Sequence, residues 1–314
     1  MRKIPVGQTI AESYSFVFRK YFPLLGIVWL PLAIMFAVGF LYMRLIYSDG
    51  LIAPSQDPAM AMQMAFRHIP FMVAFYLVLL AAMVMVCAGV AREALDIRQG
   101  PRFVQFRFGF DELRAFGAIV LLVVMIYGVI LVASMIGGII GIVVVGVHAA
   151  SAPPQPHANP MAAAAQIIAV IACVLLVIGI VAGYFAIRLG FLLFPVTVTE
   201  HKFGLWRSWD LTTGNFWRSF AVIFVTSLPS LVINLVTMAV TVGPTYVAML
   251  SHIGDPHALA DQAQQMHMLL QRQLSYLPYL WAGGLILAPF VYGLWIAPAA
   301  FAYRSLVAAD DSMG

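Results

Sequence analysis

EHKFGLWRSWDLTTGNFWRSF, residues 200–220, is basic, aromatic and amphipathic, and it stands between two long apolar runs. Phe203, Trp206, Trp209, Phe216 and Phe220 recur at spacings of three and four, with a break near Gly214. Arg207 and Asp210 are three apart, a spacing that lets them pair on a helix. Thr212-Thr213-Gly214 interrupts the pattern, and Asn215 is a favourable N-cap for a helix beginning at Phe216. The apolar run from Phe216 onward is a membrane span. The stretch therefore reads as an interfacial helix that lies along a bilayer, turns, and launches a transmembrane helix.

The rest of the chain agrees with that reading. Hydrophobic residues make up 63% of the 314 and charged residues 10%, and mean hydropathy is +0.95. A soluble domain carries about 25% charged residues, so a soluble enzyme with a single anchor is excluded. The fold class is all-α and polytopic. Six apolar runs reach the ~20 residues that cross a bilayer: 21–46, 69–90, 115–147, 161–187, 216–250 and 277–303. Together they make one membrane domain, 21–308, between an amphipathic helix at 1–20 and a short tail at 309–314. The third and fifth runs exceed thirty residues, about 50 Å as helix, so each must tilt, kink or project. Pro229, Pro244, Pro289 and Pro298 are the candidate kinks. Cys87 and Cys173 lie inside apolar runs and read as neither disulfide partners nor metal ligands.

Of the 17 Lys and Arg, only Arg44, Arg67 and Arg272 fall on one side of the spans. The other fourteen cluster before the first span, in the second and fourth loops, and after the last span. By the positive-inside rule both termini are cytoplasmic and the spans form three hairpins. At the N-terminus, Thr9-Ile10-Ala11-Glu12 fits a capping box, and Ile10, Tyr14, Val17 and Tyr21 form an apolar face. Loop 91–114 is expected to continue the second helix as far as Gly100-Pro101, and then to lie extended on the lipid interface over 102–110. Asp111 would cap the third span and Glu112 would favour its positive end. Asp57-Pro58, Asn159-Pro160 and Asp255-Pro256 each pair an N-cap residue with Pro at a helix start. An amphipathic helix through Leu259, Met266, Leu270, Leu274 and Leu277 would cover the outer mouth. The Asx-Pro pairs, together with Arg92, Arg188 and Arg304 at the ends of even spans, fit three copies of one unit. They fit equally a common helix start and a common anchor.

Chemistry is sparse. The spans contain no Asp, Glu, Lys or His, which argues against ion-coupled transport. Gln166, Tyr127, Tyr184 and Asn234 are the most polar intramembrane positions, and Asn234 is the candidate, on a fifth span that also carries Thr226, Ser227, Ser230, Thr237 and Thr241. That face would line a polar cavity or bond to a neighbouring helix. Gly137-xxx-Gly141 and Gly179-xxx-Gly183 allow close helix approach at different depths. Six of the seven His lie outside among Met residues, without ligand spacing, so no metal site and no cofactor are expected. His201 and Ser208 are framed by no nucleophile motif. The acidic residues at the basic side each have a basic neighbour. Arg188, Lys202, Arg207 and Arg218, with Trp206, Trp209 and Trp217, are the candidates for lipid headgroups or interfacial anchoring. Membrane lipids are the expected partner, and nucleic acid is not.

RSWDLTTGNFWRSF (Arg207–Phe220), preceded by Arg-Leu-Gly at 188–190 and Phe-Pro-Val-Thr-Val-Thr-Glu at 194–200, resembles a motif of uncharacterised bacterial six-helix membrane proteins. Related sequences form the membrane domain beside some glycerophosphodiester phosphodiesterases. The resemblance covers 188–220, and elsewhere only the span pattern agrees. It implies an all-helical domain of the bacterial inner membrane. It carries over no catalytic residue, because no gap between spans exceeds about thirty residues and no soluble domain is expected. The resulting expectation is a non-enzymatic scaffold or lipid-interacting membrane domain; the alternative is a permease or flippase for a lipid or small neutral solute.

Overall fold

The structure is a computed structural model, and it describes residues 3–48, 58–97, 109–151, 160–241, 243 and 258–307. Among these residues every regular element is a helix. In chain order they are α1 (Val6–Arg19), α2 (Tyr21–Ser48), α3 (Pro58–Ala94), α4 (Phe110–Ser151), α5 (Pro160–Gly190), α6 (Leu193–Glu200), α7 (Gly204–Thr212), α8 (Phe216–Thr241) and α9 (Ala258–Val307). Within them are six segments long and apolar enough to cross a membrane: Tyr21–Leu45, Phe66–Ala94, Phe110–Ile139, Ile171–Glu200, Phe216–Val240 and Pro278–Val307. The stretch 102–108, Gly100-Pro101, Asp57, Asn159, Asp255-Pro256 and Pro244 lie outside the described residues. α3 and α5 do begin at Pro58 and Pro160, where a missing N–H leaves no helix bond unmade.

α2 packs on α3, α4 on α5, and α8 on α9, while α9 also meets α1, α2 and α3. The core sits at one end of this bundle. Leu24, Ile27 and Val28 of α2, Val84, Cys87 and Val90 of α3, and Ala115 and Ala118 of α4 meet there with Leu189, Leu193 and Leu205. Toward the other end the helices of the α4–α5 pair turn Val124, Leu131, Met135, Ile139, Ile171 and Leu175 outward. Of the most apolar window of each span, 56% is buried in α9 and 6% in α4, so α9 is the central helix and α4 a peripheral one. Apolar surface on that scale marks a face that meets membrane or a partner.

Several local expectations change. The helix expected across the outer mouth is not a separate element, because α9 runs unbroken through Pro278 for 50 residues, ~75 Å. α4 is likewise a single helix of 42 residues without an internal proline. The capping box at Thr9 does not form. α1 starts four residues earlier, after Pro5, and the Thr9 N–H bonds to Pro5 O at 2.9 Å. Its inward stripe is Thr9, Ser13 and Val17, set against α8 and α9, so Ile10 and Tyr14 are only partly covered. Small side chains win that face because they let α1 approach closely. Gly293 of α9 lies so near that a Cβ there would fall 2.6 Å from Val17 Cγ2.

α1 also repairs the break at Pro229, and the first residue of α2 bonds close to the one at Pro289. Pro229 has no N–H, which leaves the Val225 carbonyl without its helical partner. The Tyr14 hydroxyl donates to Val225 O at 3.3 Å. The Tyr21 hydroxyl donates to Ile286 O at 2.9 Å, one residue past the carbonyl that Pro289 frees.

α6 is the element the sequence hides. LFPVTVTE carries a run of β-branched residues, a poor helix former. Yet Leu193 through Val198 are all buried, against α3, α4, α7 and α9. Tertiary burial overrides propensity. Pro195 falls in the first turn, where it removes no helix bond. The hydroxyls of Thr197 and Thr199 donate to Leu193 O and Pro195 O, each at 2.7 Å.

Two further glycines set close approaches. A Cβ on Gly137 would lie 2.3 Å from Val174 Cγ1, so that motif does bring α4 onto α5. Gly179 and Gly183 face open space, with nothing within 4 Å, so the second motif does not act as a contact. Gly204, at the start of α7, is the tightest against backbone: a Cβ would meet Leu193 O at 2.6 Å and Thr197 Oγ1 at 2.7 Å. Gly204→Ala is expected to destabilise the protein by about 2 kcal/mol, because a helix carbonyl must shift. Gly179→Ala should be neutral or slightly stabilising. Thermal unfolding of both variants in the same detergent checks the difference, and equal melting would overturn the α6–α7 contact.

Candidate functional site

The polar groups converge at the end that holds the core. α3 stops at Ala94, six residues short of Gly100, because Asp96 takes a left-handed φ of 61°. Ile97 N–H bonds to Arg92 O at 3.1 Å and Asp96 N–H to Glu93 O at 3.3 Å, the pairing of a Schellman stop. This turn aims Arg92 at the start of α4. Arg92 bonds to Glu112 through Nη1, and its Nη2 lies 3.3 Å from Asp111 Oδ2. Asp111 also takes Arg114 Nη1 at 3.0 Å and meets His201 Nδ1 at 2.9 Å. Asp111 thus lies inside α4 rather than capping it. The reach back to the helix start is made by Glu112, whose Oε2 accepts the Gly109 N–H at 2.8 Å. Glu112 is 1% exposed.

The remaining helix ends are fastened in the same layer. Lys20 Nζ is 3.2 Å from Glu93 Oε1, and Arg304 Nη2 donates to Ala94 O at 2.8 Å. Glu200 accepts Arg207 Nε and the Tyr303 hydroxyl, both at 3.3 Å. Arg207 therefore pairs with Glu200 and not with Asp210 as the spacing predicts. The tight turn at His201, φ 53°, brings the end of α6 alongside α7 and leaves Asp210 exposed. The N-terminal segment is tied in at Ile4, whose N–H donates to Asn215 Oδ1 at 3.1 Å and whose carbonyl accepts Arg218 Nη1 at 2.9 Å.

Arg188 forms the centre of the 188–220 stretch. It is 9% exposed. Its Nη1 donates to the Tyr184 hydroxyl at 2.8 Å. Its Nη2 donates to Trp209 O at 2.9 Å and to Thr213 Oγ1. The guanidinium carbon stands 3.8 Å from the centroid of the Trp209 ring, which stacks on Phe185 at 5.8 Å. The Arg188 carbonyl accepts Ser208 Oγ at 3.0 Å and Thr212 Oγ1 at 3.2 Å. One arginine thereby closes the C-terminal ends of both α5 and α7, where the helix dipole favours a cation.

The candidate residues consequently divide. Arg188 and Trp209 face inward and bind the fold to itself, and Arg218 holds Ile4. Lys202, Trp206, Arg207 and Trp217 face out, the two tryptophans 63% and 75% exposed. Asn234 spends its Nδ2 on Ser230 O, 2.9 Å away in its own helix. His201 and Ser208 are not brought together. His201 is exposed on Asp111, while Ser208 is buried and its Oγ accepts the Leu192 N–H at 3.2 Å. Among the described residues no three of His, Cys, Asp and Glu gather to hold a metal ion.

Six helices of membrane-crossing length and composition make this chain a multi-pass membrane protein. No family model matches it, and comparison with curated proteins and with solved structures found no match.

Proposed function

We propose that the protein is a non-enzymatic, lipid-interacting domain of the bacterial inner membrane. It is built as three helical hairpins with both termini and the basic end on the cytoplasmic side. One observation carries the reading: the polar groups of the basic end are divided by direction. Asp111, Glu112 and Glu93 are spent on inward ion pairs. At the rim, Lys202 and Arg207 are exposed, and so are Phe203, Trp206, Trp217 and Phe220. Exposed aromatics with basic side chains at a span end sit at the headgroup level, where each cation attracts anionic lipid by about 1 kcal/mol.

Native mass spectrometry from nanodiscs of mixed phosphatidylglycerol and phosphatidylcholine tests this. The wild type is expected to retain phosphatidylglycerol preferentially. The double variant Lys202→Ala/Arg207→Ala should lower that preference by about thirtyfold, the loss of two such cations. Arg218→Ala should leave the lipid preference intact and instead loosen the N-terminal segment. Equal retention of both lipids by the wild type would sink the proposal.

A further inference from the structure

Midway along the α8 span three hydroxyls gather within little more than one turn. Thr226, Ser227 and Ser230 line a cavity of ≈ 210 Å³ closed by Phe191 and, on α9, by Leu294 and Trp295. That is about seven water volumes. Thr226, at the bottom, is 3% exposed, whereas Ser227 and Trp295 are exposed at the mouth. The surface around the mouth is apolar, with Phe224, Leu228 and Leu231 exposed. At this depth that surface faces lipid chains and not water.

Two of the three hydroxyl hydrogens are already committed. Thr226 Oγ1 donates to Val222 O and Ser227 Oγ to Phe224 O, both at 2.9 Å. What these two oxygens still offer is lone pairs, so at Thr226 and Ser227 the cavity presents acceptors that suit a donor. Its lining residues are all without ionisable side chains. A phosphate, a carboxylate or an ammonium group would be desolvated there without a counter-charge. A plain hydrocarbon chain would leave the acceptors unused. A hydroxyl buried in hydrocarbon, by contrast, lacks a partner everywhere except at such a site.

We propose that the α8–α9 cavity binds an uncharged lipid alcohol, a hydrocarbon chain ending in a hydroxyl that donates to the Thr226 and Ser227 oxygens. This site is separate from the basic end and stands or falls independently of the headgroup reading.

The test uses the full chain in nanodiscs with two photoreactive probes, a diazirine-bearing hexadecanol and its methyl ether, followed by peptide mapping. The expected result is labelling of α8 and α9 peptides around 226–230 and 291–298, about fivefold stronger for the alcohol, the worth of one net hydrogen bond. Thr226→Val keeps the side-chain shape and should reduce the alcohol toward the ether. Ser230→Leu fills the cavity and should abolish labelling by both. Equal labelling by alcohol and ether overturns the proposal. So does labelling of the exposed α4–α5 surface as strong as that of α8–α9, or an unchanged alcohol preference in Thr226→Val.

Discussion

Glu112→Ala is expected to lower the stability of the folded protein by about 3–5 kcal/mol, the usual effect of removing one partner from a buried ion pair. The carboxylate is 1% exposed and bonds to both Arg92 and the Gly109 N–H. Its removal strands a guanidinium that is only 16% exposed and unties the start of α4. Asp111 remains near Arg92 but is already shared with Arg114 and His201, so it cannot replace the lost contact. Two comparisons separate the pair from general damage. Asp111→Asn, at a more exposed position with 18% of its side chain accessible, should have a smaller effect. The double variant Arg92→Met/Glu112→Leu should recover most of the loss, because no charge is then left buried. Equilibrium unfolding in mixed micelles measures all three, and a double variant no better than Glu112→Ala would refute this account of the layer.

Arg188→Ala should be comparably severe, at about 3–5 kcal/mol. Hydrogen bonds to a charged group contribute ~1.5–3 kcal/mol each, and a desolvated cation–π contact ~2 kcal/mol; shared groups prevent simple addition. Arg188→Lys should recover little, since an ammonium cannot fork between Tyr184 and Trp209 O while lying flat on the indole. Arg207→Ala, at a residue whose ion pair with Glu200 is partly exposed, should change stability by less than ~1 kcal/mol. Melting temperatures of the three variants in one detergent provide the check. An Arg188→Ala variant as stable as Arg207→Ala would make Arg188 a surface anchor after all.

The spans were legible because twenty apolar residues in a row have few other meanings. The basic residues were legible as a cluster, but their roles were not. Arg188 and Arg207 look alike in the sequence, each a cation among aromatics. One is buried on Trp209 and the other exposed on Glu200, because the two turns around α6 rotate them to opposite sides. α6 itself was hidden by its own composition: Val-Thr-Val-Thr argues for extended chain, and only the surrounding helices make it helical. The Asp111–His201 contact spans 90 residues and the Ile4–Asn215 bond 211, distances over which a single sequence carries no signal. Asp96 as a left-handed helix stop was also unreadable, since Gly100-Pro101 nearby is the stronger punctuation.

The two tyrosine bonds from the N-terminal region to Val225 and Ile286 bear on how the chain is made. Their partners lie 211 and 265 residues downstream. At ~5–20 residues per second of synthesis, α1 waits about 10–40 s for the Val225 carbonyl that Tyr14 will cap. Through that interval its Thr9–Ser13–Val17 stripe has no docking surface, and the proline-bearing helices α8 and α9 do not yet exist. α1 therefore docks only after α8 and α9 have been made, although it precedes them in synthesis. Until it docks, the seam that α1 covers on α8 and α9 stays open.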